Sequence, residues 1–541
     1  MSSPLPKVRD GLLGIVLVTA AVLHGLRMEG YHFEDAFITF RYARNVADGL
    51  GFSFNPGERV LGTSTPLFTL LLAALAWAGL DVPTAGVWIY CSSLSLAGFL
   101  GAWLLRRHGY ANAGVFFALT TAWALGHALA YLGMETTLHL ALIFACLLAA
   151  DAERPATAGA LLGLLCLNRY DGAVVAFAVG MFLWWRRRRP PWTEAFTALA
   201  LFGSWLLFAQ VYFGSIFPNT LWAKAGDAEF LPYLQNVFYV GGRQLFSPLG
   251  EMSIHASWPV RRGILILLFL PSILCLRLIF SAPRRSLLVL PAFALLMSVG
   301  YAVIGPPREH QWYHLPSLYG ALAWACAGWG VAAGFLETRW LRGARAVRTL
   351  ATSAATLAVL ATLLSLPRAV EARVGSYLSS GVQQKIEAYD RFIDYIRTAG
   401  LEGGSILTYE PGYLTFHTGQ RAIDAAGLIT RDVYFHGPSG RQSRWFSLVE
   451  EFEPDLAVLP LIEARPRADM RAAFVPVSTA AAQLWLLLHR RAFEENFERL
   501  YDRWLEGAAA APPGARTPEE QALDINEDWR LQGEPLESRE G

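Results

Sequence analysis

Long apolar runs separated by short polar loops fill the first two-thirds of the chain. They cover 11–27, 64–80, 84–105, 111–132, 134–150, 156–168, 172–185, 193–212, 263–280, 286–304, 316–335 and 346–366. A helix crossing a bilayer needs about 20 apolar residues, fewer where neighbours shield it. The runs therefore predict a polytopic helical bundle over residues 1–366. Lys7 and Arg9 precede the first run and no small-residue cleavage site follows it, so it reads as a retained helix. After 366 the pattern changes. Segments 405–410, 412–417 and 455–460 read as short strands, and 382–398 and 482–505 as helices. Residues 367–507 are thus expected to form a soluble α/β domain. The stretch 508–541, rich in Ala, Pro, Gly and Glu, reads as a disordered tail.

Basic residues orient the helices, because short cytoplasmic loops carry the excess of Lys and Arg. If every run crossed, Arg106, Arg107 and Arg186–Arg189 would fall on the outer side. If 64–80, which opens with Ser64-Thr65-Pro66, lies in the outer interface instead, those clusters fall inside together with Arg154, Arg284, Arg285, Arg339, Arg342, Arg345 and Arg348. Only Arg261 and Arg262 stay at an outer end. The rule selects about eleven spans, with the N-terminus cytoplasmic and the C-terminal domain outside. The first outer loop is then 28–83, and the others are the 133–135 corner, 168–172, 213–262 and 305–315.

Composition sharpens this. The chain is 54% hydrophobic and 16% charged, against about 25% charged in soluble domains, which excludes a soluble enzyme or a disordered chain. Forty-five basic and 44 acidic residues leave a net charge of +1, so nothing draws the whole chain to nucleic acid. Cys91, Cys146, Cys166, Cys275 and Cys326 all lie in apolar runs and read as small buried hydrophobes, not as a disulfide framework.

The polar residues near the outer rim carry the candidate chemistry. Phe33, Phe37 and Phe40 recur at helical spacing, and Glu34, Ile38, Arg41 and Asn45 share another face. Gly49 and Gly51 end the helix. The spacing predicts an amphipathic interfacial helix with Glu34 and Asp35 at its first turn. Acids there favour the helix dipole. Paired carboxylates at a membrane edge also suit glycosyl transfer to a hydroxyl, where one acid accepts the acceptor's proton as the sugar leaves its phosphate. A leaving phosphate calls for cations, and Arg169 and Lys224 lie on the same side. Glu135, at the membrane boundary, has two roles open to it: pairing with Arg169 or touching substrate. His310 and His314 have the i, i+4 spacing of metal ligands, but Pro306, Pro307 and Pro316 argue against a long helix and no third ligand stands out. Hydrogen bonding to phosphate or sugar hydroxyls fits them better. Tyr409, Tyr413, Phe416, His417, Arg421 and Asp424 cluster near expected strand ends, where aromatics are more often core than sugar platforms.

The run Glu34-Asp35-Ala36-Phe37-Ile38 through Arg41-Tyr42-Ala43-Arg44-Asn45, followed by Gly51 to Val60, resembles the first outer loop of GT-C superfamily glycosyltransferases. It is most similar to the branch of the terminal arabinofuranosyltransferase. Gly133-Met134-Glu135-Thr136, Arg169-Tyr170-Asp171-Gly172, Pro218-Asn219-Thr220 with Lys224, and Gly419 to Leu428 follow in the same order. The resemblance implies a polytopic bundle with an extracytoplasmic α/β domain, a polyprenyl-phosphate sugar as donor, and a juxtamembrane helix at 64–80. It implies Glu34 and Asp35 as the catalytic acids, although aspartate is usual at the first position. Arg41, Arg169, Lys224, His310 and His314 would meet the donor phosphate. Tyr42, Asn45, Asn55, Glu58, Glu135 and Asn219 would line the substrate. Tyr170 stands where the family commonly has proline.

The expected function is an inverting membrane glycosyltransferase of the bacterial inner membrane, active in cell envelope biogenesis. The expected acceptor is a glycan or glycolipid, and arabinofuranose is one of the donor sugars that fit. A divalent cation (magnesium or manganese) at the acidic pair is left open, and no other cofactor is implied. The alternative is a multispanning flippase or transporter of lipid-linked sugars, against which stand the lack of a repeated half and the gathering of polar residues at one face.

Overall fold

The computed structural model describes residues 5–28, 33–128, 132–224, 270–274, 276–277, 286–304, 311–339, 344–378, 381–430, 448–449, 451–460, 474–480, 484–489 and 491. The chain forms two compact units. The helical unit is Met1–Ala36, Ser64–Ile216 and Lys224–Ser376; the α/β unit is Phe37–Thr63, Phe217–Ala223 and Tyr377–Gly541. Residues 37–63 of the first outer loop therefore fold with the C-terminal segment, while 28–36 and 64–83 belong to the helical unit.

The helical unit contains α1 (Leu5–Arg27), α3 (Pro66–Trp77), α4 (Val82–Arg107), α5 (Ala111–Ala128), α6 (Thr136–Asp151), α7 (Pro155–Asn168), α8 (Gly172–Arg187) and α9 (Trp192–Phe213). Later come α11 (Val289–Ile304), α12 (Leu315–Arg339) and α13 (Ala344–Leu378). The intervening α2 (Ala36–Ala47) and α10 (Asn219–Lys224) fall mostly in the α/β unit. Among the described residues, 6 helices are long and apolar enough to cross a bilayer. The chain is a multi-pass membrane protein. The count of eleven spans is not reached by length alone, since α6, α7 and α8 have only 16, 14 and 16 residues.

α1 and α4 run antiparallel. Asp10 pairs with Arg106, the Ser95 hydroxyl donates to the Leu17 carbonyl at 2.8 Å, and Gly25 lies against the Trp88 ring. The segment between them thus makes no net crossing. α3 agrees: its 12 residues span about 18 Å, well short of a hydrocarbon core of about 30 Å. The helix ends at 106–112, 151–155 and 186–194 are tied together by ion pairs. His108 meets Asp151 at 2.7 Å, Arg186 meets Glu153 at 2.7 Å, and Arg187 meets Glu194 at 2.6 Å. Among the described residues, Arg106, Arg107, Arg154 and Arg186–Arg189 share one rim of the bundle, and the corners 133–135 and 169–171 lie at the other.

Small residues let the helices approach. An added Cβ at Gly159 would stand 2.7 Å from the Glu194 carbonyl oxygen, and one at Gly163 3.0 Å from that of Ala198. Four residues apart on α7, they bring its backbone onto α9, where lipid offers no hydrophobic driving force and close packing must supply the attraction. Gly159→Ala is expected to destabilise the bundle by about 1–3 kcal/mol, read as a lower Tm of the detergent-solubilised chain. Gly180, with nothing within 4 Å of an added Cβ, should tolerate the same change.

In the α/β unit, α14 (Gly381–Thr398) packs near a sheet of β1 (Ser405–Thr408), β2 (Arg421–Asp424), β3 (Leu456–Pro460), β4 (Phe474–Ala480) and β5 (Leu484–His489). The order is β2-β1-β3-β5-β4, with β1 parallel to β2 and β3, and β5 antiparallel to both its neighbours. Two expectations are corrected. The expected strand at 412–417 is α15 (Gly412–Thr418): Pro411 sits at its N-cap and Gly419, at φ 69°, ends it in the left-handed conformation. Within the expected helix 482–505, residues 484–489 form a strand between β3 and β4 in which the consecutive Leu486, Leu487 and Leu488 are all fully buried. The rest of that segment, bar Arg491, and the expected tail 508–541 lie outside the described residues.

Helix α2 is not the surface helix its pattern suggested. Phe37 packs against Tyr413 at 4.8 Å and Phe416 at 5.1 Å between ring centroids, while Tyr42 on another face is also fully buried. Its charged face is turned into the unit because Arg41 finds backbone acceptors there.

Candidate functional site

Glu34 and Asp35 form the turn just before α2 rather than its first turn. Glu34 is buried and Asp35 half-buried. Phe33 anchors this turn: its amide donates to the Leu132 carbonyl at 3.4 Å, and its ring meets Trp312 edge-on at 5.3 Å. Trp312 packs against Tyr313 at 5.6 Å, and Tyr313 against Tyr301 at 4.9 Å. The acidic turn, the 133–135 corner and residues 312–314 therefore occupy one neighbourhood of the helical unit.

Arg169 is the centre of that neighbourhood. Its Nη1 donates to Glu135 Oε1 at 2.9 Å and Thr136 Oγ1 at 3.3 Å. Its Nε and Nη2 reach Asp171 at 3.1 and 2.8 Å, and Nη2 also meets the Tyr301 hydroxyl at 3.3 Å. Tyr301 in turn donates to Asp171. The fork is saturated by two carboxylates, so a donor phosphate would have to displace one of them. Of the two roles open to Glu135, pairing with Arg169 is observed. Burial works against the Asp171 carboxylate, but Arg169, His139 and the hydrogen bonds outweigh it and hold the group well below the ordinary range. Its stabilising contribution is therefore present above about pH 4 and is lost only as pH falls through the lowered folded value. Glu135 goes the other way: burial raises it against the pull of Arg169, so the native state holds its proton more tightly.

Asp171, Tyr301 and His139 had no role assigned from sequence. His139 is fully buried on α6, with Nε2 3.8 Å from Asp171 Oδ1 and neither ring nitrogen hydrogen-bonded. A histidine and a tyrosine inside apolar runs were the available signals. His314 is buried and burial lowers it to about 4, so it is neutral at pH 7 and offers hydrogen bonds, not charge. His310 lies outside the described residues, as does the Lys224 side chain. Among the described residues, no three His, Cys, Asp or Glu side chains gather as a metal-binding set.

The remaining expected substrate residues are drawn into the α/β unit. Arg41 Nε donates to the Phe54 carbonyl at 2.9 Å, Nη1 to that of Thr415 at 2.9 Å and Nη2 to that of Gln420 at 2.6 Å. Burial, with Arg44 adding to it, lowers Arg41 to about 10, still charged at neutral pH. Tyr42 donates to the Val60 carbonyl at 2.6 Å and accepts from the Gly62 amide at 2.9 Å. Asn45 caps the Ser53 and Phe54 carbonyls. Asn55 pairs both its amide oxygen and nitrogen with the backbone of Ala422, at 2.9 Å each, closing the free edge of β2. Glu58 pairs with Arg421 at 2.6 Å, and the Asn219 amide donates to the Leu61 carbonyl at 2.8 Å. These contacts engage the Arg41, Tyr42, Asn45, Asn55 and Glu58 side chains within the α/β unit. Short polar side chains next to glycines look alike in sequence whether they meet substrate or backbone. Arg41→Met leaves three buried carbonyls without a donor and is expected to cost about 2–4 kcal/mol, seen as protease sensitivity of the 377–460 region.

No protein-family model matches the chain and no curated protein matches it. Among solved structures, it is similar to ArnT from Cupriavidus metallidurans, crystallised bound to undecaprenyl phosphate, with a TM-score of 0.52 and 14% identity over 88% of this chain and 98% of that one. It is also similar to the oligosaccharyltransferase of Archaeoglobus fulgidus in its apo form, with a TM-score of 0.50 and 12% identity over 84% of this chain and 69% of that one. At such identities the likeness is one of fold. The chain shares with both a polytopic helical membrane bundle carrying an α/β domain.

Proposed function

We propose that the protein is a GT-C-type membrane glycosyltransferase that takes a sugar from a polyprenyl-phosphate donor to an acceptor hydroxyl with inversion. The observation that carries this reading is the fold likeness along nearly the whole length of a protein crystallised with undecaprenyl phosphate. The acidic turn at the head of the first outer loop supports it. Asp35, the less buried acid, takes the acceptor's hydroxyl proton. The acceptor oxygen forms its bond to the anomeric carbon from the face opposite the phosphate, and the bond to the phosphate oxygen breaks with its electron pair leaving on that oxygen. Glu34 lies beside the base. Lys224 and the 310–314 histidines are proposed to meet the phosphate, since Arg169 and Arg41 are otherwise engaged. Two carboxylates give a divalent cation only a partial hold, and no step here depends on one.

The backbone bond from Asn219 to Leu61, and the packing of residues 37–63 on the C-terminal domain, support one outer side for all three. That side is proposed to be extracytoplasmic in a bacterial inner membrane. The donor sugar (arabinofuranose, mannose and aminoarabinose all fit) and a glycan or glycolipid acceptor are the finer parts of the proposal. Membranes containing the chain should transfer labelled sugar from polyprenyl phosphate but not from a nucleotide sugar. Uptake of lipid-linked sugar into sealed vesicles without a covalent product would favour the flippase instead.

A further inference from the structure

We infer that the rim of the bundle opposite the acidic turn carries a docking site for anionic phospholipid headgroups, built on the α8–α9 hairpin. The acids Asp10, Asp151, Glu153 and Glu194 near that rim are already engaged. Asp10 is held by Arg9 and Arg106, Asp151 by His108 and Arg186, Glu153 by Arg186, and Glu194 by Arg187. Among the described residues, Arg107, Arg154, Arg188 and Arg189 are exposed there with no acidic partner. The hairpin concentrates this charge: Arg188 and Arg189 occupy the four-residue turn between α8 and α9, ahead of Pro190 and Pro191. Arg188 adopts a left-handed conformation, φ 57°, at a helix C-cap position that glycine usually fills.

Indole rings flank the turn. Trp184, Trp185 and Trp192 are 50%, 39% and 63% exposed, and Trp192 stacks on Phe196 at 5.9 Å. Exposed indoles beside exposed guanidinium groups match the headgroup level of a bilayer, where the ring body meets acyl chain and the charge meets phosphate. A guanidinium fork binds a phosphodiester through two hydrogen bonds. With the acids Asp10, Asp151, Glu153 and Glu194 already paired, the partner complementary to these arginines is an anion of the surrounding leaflet, and the occupant is an anionic glycerophospholipid.

The test uses the full-length chain in detergent, with thermal unfolding followed as short-chain phosphatidylglycerol or phosphatidylcholine is added. Phosphatidylglycerol should raise Tm and phosphatidylcholine should not. The R188Q/R189Q double variant should bind phosphatidylglycerol roughly 25-fold more weakly, at about fivefold for each arginine. R188K/R189K should retain most of the effect, which shows that the hairpin still folds when its charge is kept. R27Q, altering an exposed pair with Glu371 at the other end of α1, should behave as the wild type. Equal responses to the two lipids, or an undiminished response in R188Q/R189Q, would overturn the inference. Loss of a response to undecaprenyl phosphate in R188Q/R189Q would likewise count against it, because the carrier is assigned to the other rim. None of these readouts requires transferase activity, so their failure is separate from failure of the proposed function.

Discussion

Asp35→Asn lowers sugar transfer from a polyprenyl-phosphate donor by roughly two to four orders of magnitude, the range associated with removing a general base. The substitution keeps the size of the side chain and removes its capacity to take a proton. Donor binding should change little, because the phosphate contacts proposed at Lys224 and the loop histidines are untouched. The loss therefore falls on turnover at saturating donor. Glu34→Gln should be milder: Glu34 is buried in the turn, where it shapes the site more than it meets the acceptor. The measurement is a membrane assay with labelled donor, with donor binding followed separately. If both variants turn over at the wild-type rate, the acidic turn is not the catalytic centre.

Arg169→Met should be the most damaging single change in the helical unit. It strands the buried Glu135 and the partly buried Asp171, two carboxylates with one shared cation, and breaking a buried ion pair costs about 3–5 kcal/mol. The loss should sit at the upper end, because two acids lose their partner. The pH dependence has a definite sign. In the wild type Asp171 is held low, so its contribution persists into acid. In the variant both carboxyls are expected to have folded pKa values raised above the unfolded ones. Such groups stabilise most below the unfolded value and lose that contribution as pH rises through the folded one. The deficit in Tm relative to wild type should therefore be larger at pH 7 than at pH 4. A deficit that does not vary with pH would mean that the guanidinium acts by packing alone.

The membrane bundle was legible because apolar runs of spanning length have few other uses, and because arginines cluster by side. α1 and α4 run antiparallel, the arrangement that the charge argument requires if 64–80 makes no crossing. The acidic pair was visible as two adjacent carboxylates at the head of a loop. What stayed hidden was the employment of each polar group. Arg41 and Asn55 resemble ligand contacts in sequence, yet they satisfy carbonyls and a strand edge about 370 residues away in the chain, a pairing that no local pattern encodes. The pairing of Arg169 with Glu135 was one of two roles the sequence left open, but the contact with Tyr301, 132 residues distant, could not be read until the helices assemble. The 412–418 segment alternates like a strand, and its flanking Pro411 and Gly419 decide for helix once Tyr413 and Phe416 can share a face against Phe37.

By itself, the sequence determined that the chain inhabits a bilayer, where its basic rim lies, and which loop bears the acids. These depend on hydropathy and charge, which act residue by residue. Only the tertiary structure decided which buried charges are already paired and which loop joins the α/β unit. Pairing depends on distances set by packing, and a guanidinium holding two carboxylates is chemically a different group from one exposed to solvent.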